Sequence, residues 1–118
     1  MDLIKDYCDF LLEGKNVKGS FEEFAQIRHD GAKKIADSAK AKGGPALLTY
    51  NHFVVKLPYY KKAAEGKFDL EDYSAELQNQ LNKLSGQLPG NVTMDQTDFQ
   101  KTMGLVEVLG ELIIRYKK

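Results

Sequence analysis

The chain has 118 residues, of which 42% are hydrophobic and 29% charged, and its formal net charge is zero. A chain of this size buries roughly two-thirds of the surface that its unfolded form exposes, so it needs no metal or disulfide to fold. Its content of core-forming side chains also excludes a disordered tail. We therefore expect one folded domain spanning residues 1–118.

The single cysteine, Cys8, excludes an internal disulfide and is typical of a protein from a reducing compartment. It lies among apolar residues, which predicts a buried structural thiol. The first residues are acidic, unlike a secretory signal, and no apolar run is long enough to span a membrane. We expect a cytoplasmic protein with no membrane partner.

The first two helices are predicted from apolar spacing and from residues that start and stop helices. One short helix between Asp2 and Gly14 places six residues on one face: Leu3, Ile4, Tyr7, Cys8, Leu11 and Leu12. Ser20 and Glu23 have the spacing of a capping box, in which each side chain bonds the backbone amide of the other. A second helix is therefore predicted to begin there and to end at residues 43–44, which are both glycine.

The middle of the chain has a mixed pattern. Residues 46–57 contain many strand-forming residues, but their apolar positions keep helical spacing and no second strand is available for pairing. We favour a helix, with an extended segment as the alternative. Pro58 is predicted to break this helix, because proline lacks a backbone donor, and a short helix is predicted to follow up to Gly66.

The last two helices show the strongest patterns. Asp69 opens a helix in which apolar residues recur every three or four positions up to Leu88, as in a packing seam. Thr93 and Gln96 form a second predicted capping box, ahead of a final helix that is apolar around most of its circumference. Such a helix is either central in a bundle or part of an oligomeric interface. The predicted interface residues are Leu105, Val108, Leu109 and Leu112.

Short connections that contain turn residues favour antiparallel neighbours. The predicted fold is all-α, a compact antiparallel bundle of four long helices plus one short helix. Gly31, Gly104 and Gly110 lie inside predicted helices, where each costs about 0.5–1 kcal/mol relative to alanine. We expect a neighbouring helix to approach closely at each of these glycines.

The sequence contains no pattern typical of a catalytic or metal site. His29 and His52 are its two histidines, and neither has the spacing of a helical metal site. We expect His29 on a solvated face and His52 at the border of the core. The paired acidic residues fall in predicted first turns, where negative charge favours the helix dipole. We expect no enzyme activity, no cofactor and no metal.

The charges are segregated along the chain although they sum to zero. Between Arg28 and Lys67 nine basic residues stand against three acidic ones, and acidic residues are in excess on both sides. Lysines neutralise phosphates and tyrosine rings stack on bases, so this segment predicts contact with a nucleic-acid strand. An ordinary solvated helix surface explains the same residues. The residues predicted to make contact are Arg28, Lys33, Lys34, Lys40, Lys42, Lys56, Tyr59, Tyr60, Lys61, Lys62 and Lys67.

In size, helical content and charge layout the chain resembles the small helical subunits of CRISPR effector complexes, which line up along bound nucleic acid. The resemblance covers the whole chain and rests on architecture rather than on a motif, and the chain differs from many such subunits in its zero net charge. It implies a non-catalytic subunit of a larger assembly that contacts RNA or single-stranded DNA through its basic middle. The alternative is a protein interaction module or adaptor without a nucleic-acid role, which binds other subunits or a second copy through the last helix.

Overall fold

The computed structural model of the chain describes residues 8–12, 18–86 and 95–117. Residues 8–12 are helical and form α1. The other helices are α2 (Phe21–Lys42), α3 (Ala46–Val54), α4 (Leu57–Ala64), α5 (Leu70–Leu84) and α6 (Gln96–Lys117). These three ranges contain no strand, and the predicted all-α bundle is confirmed.

Helix α2 begins and ends where the sequence predicts. The Ser20 hydroxyl accepts a hydrogen bond from the Glu23 amide at 3.1 Å, and the Glu23 carboxylate accepts one from the Ser20 amide at 3.4 Å. At the other end Gly43 has a φ of +68° and donates its amide hydrogen to the Ala39 carbonyl. Glycine adopts this left-handed conformation without a steric penalty, which explains why the helix stops there.

Helix α3 confirms the helical prediction for most of residues 46–57, but the break falls before Pro58. The helix ends at Val54, and Pro58 is the second residue of α4. A proline in the first helical turn loses no hydrogen bond, because the amides there have no partner within the helix. Val55 and Lys56 keep helical dihedral angles between the two helices, so side chains four residues apart stay on one side across the junction.

Helix α5 is shorter than its apolar pattern predicts. It begins after Asp69, whose carboxylate accepts a hydrogen bond from the Asp72 amide at 3.0 Å. It ends at Leu84, and Gly86 then takes a left-handed φ of +74°. Leu88, where the pattern ends, lies outside the described residues.

Helix α6 begins with a side-chain cap from Asp95. Its carboxylate accepts a hydrogen bond from the Asp98 amide at 2.8 Å, which satisfies one of the free amides of the first turn. The predicted caps at Asp2 and Thr93 and the predicted stop at Gly14 lie outside the described residues.

The core draws on every helix. α2 packs against α3 and α4, while α6 packs against α3 and α5. Rings of Phe21, Phe68 and Tyr116 meet at centroid distances of 4.7–5.4 Å, which brings the start of α2, the segment after α4 and the end of α6 together. The largest buried apolar side chains include Phe10, Phe24, Phe53, Tyr60, Leu109 and Leu112.

Candidate functional site

Seven polar side chains connect α6 to α2, α3 and α4, and together they are termed the buried polar cluster. They are buried or half-buried and form two hydrogen-bonded groups, one of Arg28, Tyr60 and Glu111 and the other of His52, Lys56, Gln100 and Glu107. His52, Lys56 and Tyr60 follow each other every four residues, so they share one side of α3 and α4. Glu107 and Glu111 have the same spacing on α6. The cluster therefore contains two rows of side chains that face each other, one along α3 and α4 and one along α6, and these rows are termed the two ladders.

Arg28 is 1% exposed and has a partner for each part of its guanidinium. Its Nε and Nη2 atoms donate to the two carboxylate oxygens of Glu111, both at 2.9 Å, and Nη1 donates to the Phe10 carbonyl. The Phe10 ring centroid lies 3.5 Å from Arg28 Cζ. Burial lowers the pKa of Arg28, but the hydrogen bonds to Glu111 and the electrostatic effects of Tyr60 and Glu111 together outweigh burial and raise that pKa above the ordinary value. The ion pair is charged and bidentate, which is the strongest geometry for such a pair.

Glu107 accepts from two buried side chains. Lys56, also 1% exposed, donates to Glu107 Oε1 at 2.8 Å, and His52 Nε2 lies 3.2 Å from Glu107 Oε2. Burial raises the pKa of Glu107, but the hydrogen bond from His52 and the charge of Lys56 outweigh it and lower that pKa to about 2. Burial also lowers the pKa of Lys56. The other ring nitrogen of His52 lies 3.2 Å from Gln100 Oε1.

A glycine allows the two ladders to come within hydrogen-bonding distance. A Cβ atom on Gly104 would overlap the backbone oxygen of His52 and would lie 2.8 Å from Val55 Cγ2. A contact below 3.0 Å is too short for a real Cβ atom, so the backbones of α3 and α6 meet at this point. The predicted close approach is therefore confirmed at Gly104.

The side of α6 opposite the buried Val108, Leu109 and Leu112 carries an apolar stripe that faces solvent, next to the two glutamates. Its five residues recur every three or four positions and are termed the outer face: Phe99, Met103, Val106, Gly110 and Ile114. Phe99 is 45% exposed and Ile114 is 61% exposed, and the residues between them are half-buried. A Cβ atom on Gly110 would meet no atom of the described residues within 4 Å. The close approach predicted at Gly110 is therefore wrong for the described part of the chain.

The four residues predicted to form an interface lie on the core side of α6. Val108, Leu109 and Leu112 are fully buried, and Leu105 packs against the core. The three buried side chains are covered by the neighbouring helices, so they stabilise the bundle and are not accessible to a partner, whereas Leu105 is half-buried. The outer face includes two of the exposed apolar side chains of α6, Phe99 and Ile114.

Three residues predicted to contact nucleic acid lie inside the protein. Arg28, Lys56 and Tyr60 belong to the buried polar cluster, so they cannot reach a phosphate or a base in the folded chain. Their expected role is corrected: the positive charges of Arg28 and Lys56 are balanced by carboxylates of α6. Tyr59 is half-buried, and its ring packs edge-on against Tyr73 at 5.4 Å.

The other basic residues of the segment are exposed on α2, α4 and the residues that follow them. Lys33 pairs with Asp37 at 2.9 Å, and Lys67 lies 3.9 Å from Glu65. The remaining exposed lysines of the segment are Lys34, Lys40, Lys42, Lys61 and Lys62. On α2 these lysines alternate with acidic residues, as is usual on a solvated helix surface.

Helix α1 presents a different face from the one predicted. Cys8 is exposed, as are Leu11 and Leu12, so the prediction of a buried thiol is wrong. Phe10 is the buried residue, because its ring fits against Arg28 and meets the Phe53 ring edge-on at 5.2 Å. A cation beneath the ring holds this side of the helix against the core.

The two histidines differ in burial. His29 is half-buried on α2, with Nδ1 3.1 Å from Asp30. His52 is buried rather than at the border of the core.

The sequence does contain a signal for the burial of Arg28. Arg28 lies four residues from both Phe24 and Ala32, which are core residues of α2.

Neither face of α6 resembles a metal centre. Among the described residues no three side chains of the metal-binding types lie together. In the same part of the chain, every helix is too short or too polar to cross a membrane. Comparison of the chain with protein-family models, with curated proteins and with solved structures found no match.

Proposed function

We propose that the chain is a non-catalytic interaction module that joins a protein assembly through the outer face of α6. The observation that supports this proposal is an apolar stripe, open to solvent, on a helix whose other side is anchored in the core. Its two ends, Phe99 and Ile114, are also its most exposed residues. The interaction therefore uses the predicted helix but not the predicted residues.

The stripe has the dimensions of a helix-recognition surface. Its residues span 99–114, which at 1.5 Å per residue is a length of about 22 Å. Apolar anchors at this spacing are the mode by which one helix binds a groove or another helix. Burial of apolar surface contributes roughly 25 cal/mol for each Å² removed from water. A partner that offers apolar surface of similar length fits this face.

The buried polar cluster keeps the outer face in position. Glu107 and Glu111 tie α6 to Lys56, between α3 and α4, and to Arg28 of α2 through charged hydrogen bonds of 2.8–2.9 Å. Gly104 locks the same helix against the His52 backbone. A rigid helix loses little conformational entropy on binding, so the outer face is prepared for a partner.

Nucleic-acid contact remains a prediction for the exposed lysines alone. They are spread along α2, where acidic residues lie among them, and along α4, and the two buried basic residues, Arg28 and Lys56, do not add to them. Contact through these lysines would involve phosphates, be independent of sequence and weaken steeply with salt.

Site-specific photo-cross-linking in cells that express the full chain tests the proposed function. A photoreactive amino acid replaces Phe99 or Ile114, and in the control it replaces Ala41, which is exposed on α2. We expect protein adducts from the two outer-face positions and few from the control. Equal yields at all three positions, or no protein adduct at either outer-face position, would contradict the proposal.

Binding of a labelled single-stranded RNA, followed by fluorescence anisotropy at several salt concentrations, tests the other function. The variant changes Lys34, Lys40, Lys61 and Lys62 to glutamate. Its control changes Lys83 and Lys101, which are exposed outside the segment, to glutamate. Salt-sensitive binding that the first variant loses and the second keeps would establish nucleic-acid contact through the basic segment.

A further inference from the structure

We infer that the partner on the outer face of α6 is a second copy of this chain, packed antiparallel. This inference rests on the proposed function and names the occupant of the same surface. It follows from how the stripe matches itself when one copy is rotated by half a turn. In such an isologous pair the same residues of both copies form the interface.

The first argument is the match of large and small residues. A two-fold axis between Val106 and Glu107 places Met103 opposite Gly110 of the second copy. The same axis places Phe99 opposite Ile114 of the second copy. The space in front of Gly110 is open for at least 4 Å, so it receives the Met103 side chain as a knob enters a hole. Each copy supplies both the knob and the hole.

The second argument is the presence of a glycine that one chain does not need. Glycine weakens a helix relative to alanine. Gly104 has a reason inside the chain, because a side chain there would overlap His52. Gly110 has a helical backbone and open space where a Cβ atom would lie, so packing among the residues that the structure describes does not require it. Close approach of a second α6 does require it.

The third argument is charge. The first turn of α6 carries Asp98 after the capping Asp95, and the last turn carries Lys117. Antiparallel packing places the acidic end of each helix beside the basic end of the other and sets the two helix dipoles in opposition, which is favourable. Parallel packing would place like charges side by side.

The size of the stripe sets the strength of the pair. One helix from each copy buries less than about 1,200 Å² in total, which is the range of weak and transient complexes. We expect a monomer in dilute solution and a dimer whose dissociation constant lies below about 1 mM.

Sedimentation equilibrium of the purified full chain over that concentration range tests the pair, with Gly110→Leu as the decisive variant. The open space around Gly110 leaves the monomer fold intact, which its thermal unfolding in dilute solution verifies. In the dimer the leucine occupies the place of Met103 from the second copy. We expect dimerisation at least about tenfold weaker than in the parent, because overpacking of a close contact is costly. Gly110→Ala, a smaller change, should weaken it less.

Disulfide formation tests the register in a Cys8→Ser background, which removes the exposed native thiol. Val106→Cys lies beside the two-fold axis and should form a cross-linked dimer. Ile114→Cys alone should not cross-link, but Phe99→Cys combined with Ile114→Cys should. Lys34→Cys on α2 is the control that reports random collision.

Three results would overturn the inference: a monomer at about 1 mM, a dimer unaffected by Gly110→Leu, or efficient cross-linking of Ile114→Cys alone. A monomer whose photo-adducts at Phe99 and Ile114 are to another protein would remove the self-association and leave the proposed function standing. The absence of outer-face adducts in cells would remove both.

Discussion

Two neighbouring stripes of α6 differ in a way that solvent exposure alone does not explain. The stripe that meets α2, α3 and α4 carries Glu107 and Glu111 beside the buried apolar residues, whereas the stripe that faces solvent carries Val106 and Ile114. Each side also contains one glycine, and Gly104 is enclosed while Gly110 is open. The comparison teaches that charge can be buried where matched partners exist, while apolar side chains on the same helix stay at the surface, where the proposed partner would bind.

The largest expected effect comes from a change that breaks an ion pair on the side of α6 with Glu107 and Glu111, termed the inner side. Arg28→Met removes the guanidinium and leaves the Glu111 carboxylate half-buried with Tyr60 as its remaining hydrogen-bond donor in the cluster. We expect a loss of about 3–5 kcal/mol in the free energy of unfolding, measured with urea, because an uncompensated buried charge is strongly destabilising.

The double variant Arg28→Met with Glu111→Leu is the matched control. Replacement of both charges by apolar side chains should restore most of the loss, since a buried ion pair and an apolar pair of similar size are often equivalent. A double variant as unstable as the single one would show that the unpaired charge is not the cause.

The second prediction uses pH to weaken the inner side. The folded-state pKa of Glu107, about 2, lies below the ordinary value of 4.5, so its contribution to stability is complete above about pH 4.5. It is lost as the pH falls from there through 2, and at full size amounts to about 3 kcal/mol. Glu107→Gln should therefore be less stable at neutral pH and lose less stability over this acidic range.

Urea unfolding at a series of pH values measures this difference. Glu71→Gln serves as the control, because Glu71 is exposed in the first turn of α5. A Glu107→Gln variant whose stability falls with acid as steeply as that of the parent would contradict the assigned role of Glu107.

The third prediction concerns the close contact between Gly104 and the α3 backbone on the inner side. Gly104→Ala forces a methyl group into the His52 backbone oxygen, so α3 and α6 must separate. We expect a loss of about 1–3 kcal/mol or more in the free energy of unfolding. Hydrogen exchange should show faster opening of α3, and unchanged protection there would argue against the backbone contact.

The smallest expected effect is at the matching position on the outer side. Gly110→Ala adds a methyl group in open space and removes a helix-weakening residue. We expect the monomer to gain about 0.5–1 kcal/mol in stability, measured by urea unfolding in dilute solution. Opposite signs for the two glycine variants would establish the difference between the faces, while a loss at both would refute it.

The helices could be predicted from local signals because the residues that cap them are close in sequence. Ser20 and Glu23 are three residues apart, and Asp69 caps α5 over the same separation. The apolar spacing predicts too late an end for α5, because it continues beyond Gly86, where the left-handed backbone stops the helix.

The burial of charge could not be predicted because it depends on partners distant in sequence. Arg28 and Glu111 are 83 residues apart, and Lys56 and Glu107 are 51 apart. Periodicity places a residue on a face, but the alignment of two helices decides whether that face meets a carboxylate or water. For the same reason, the apolar residues around most of the circumference of α6 do not predict which side of the helix is exposed to solvent.

Phe10 has a consequence for how the protein can be shortened. Its ring and carbonyl shield the guanidinium of Arg28 from water. A derivative beginning at Lys18 would hydrate the Arg28 and Glu111 pair and leave a hollow beside Phe53. Phe10 is thus an integral part of the interior, and a deletion that removes α1 amounts to a core mutation.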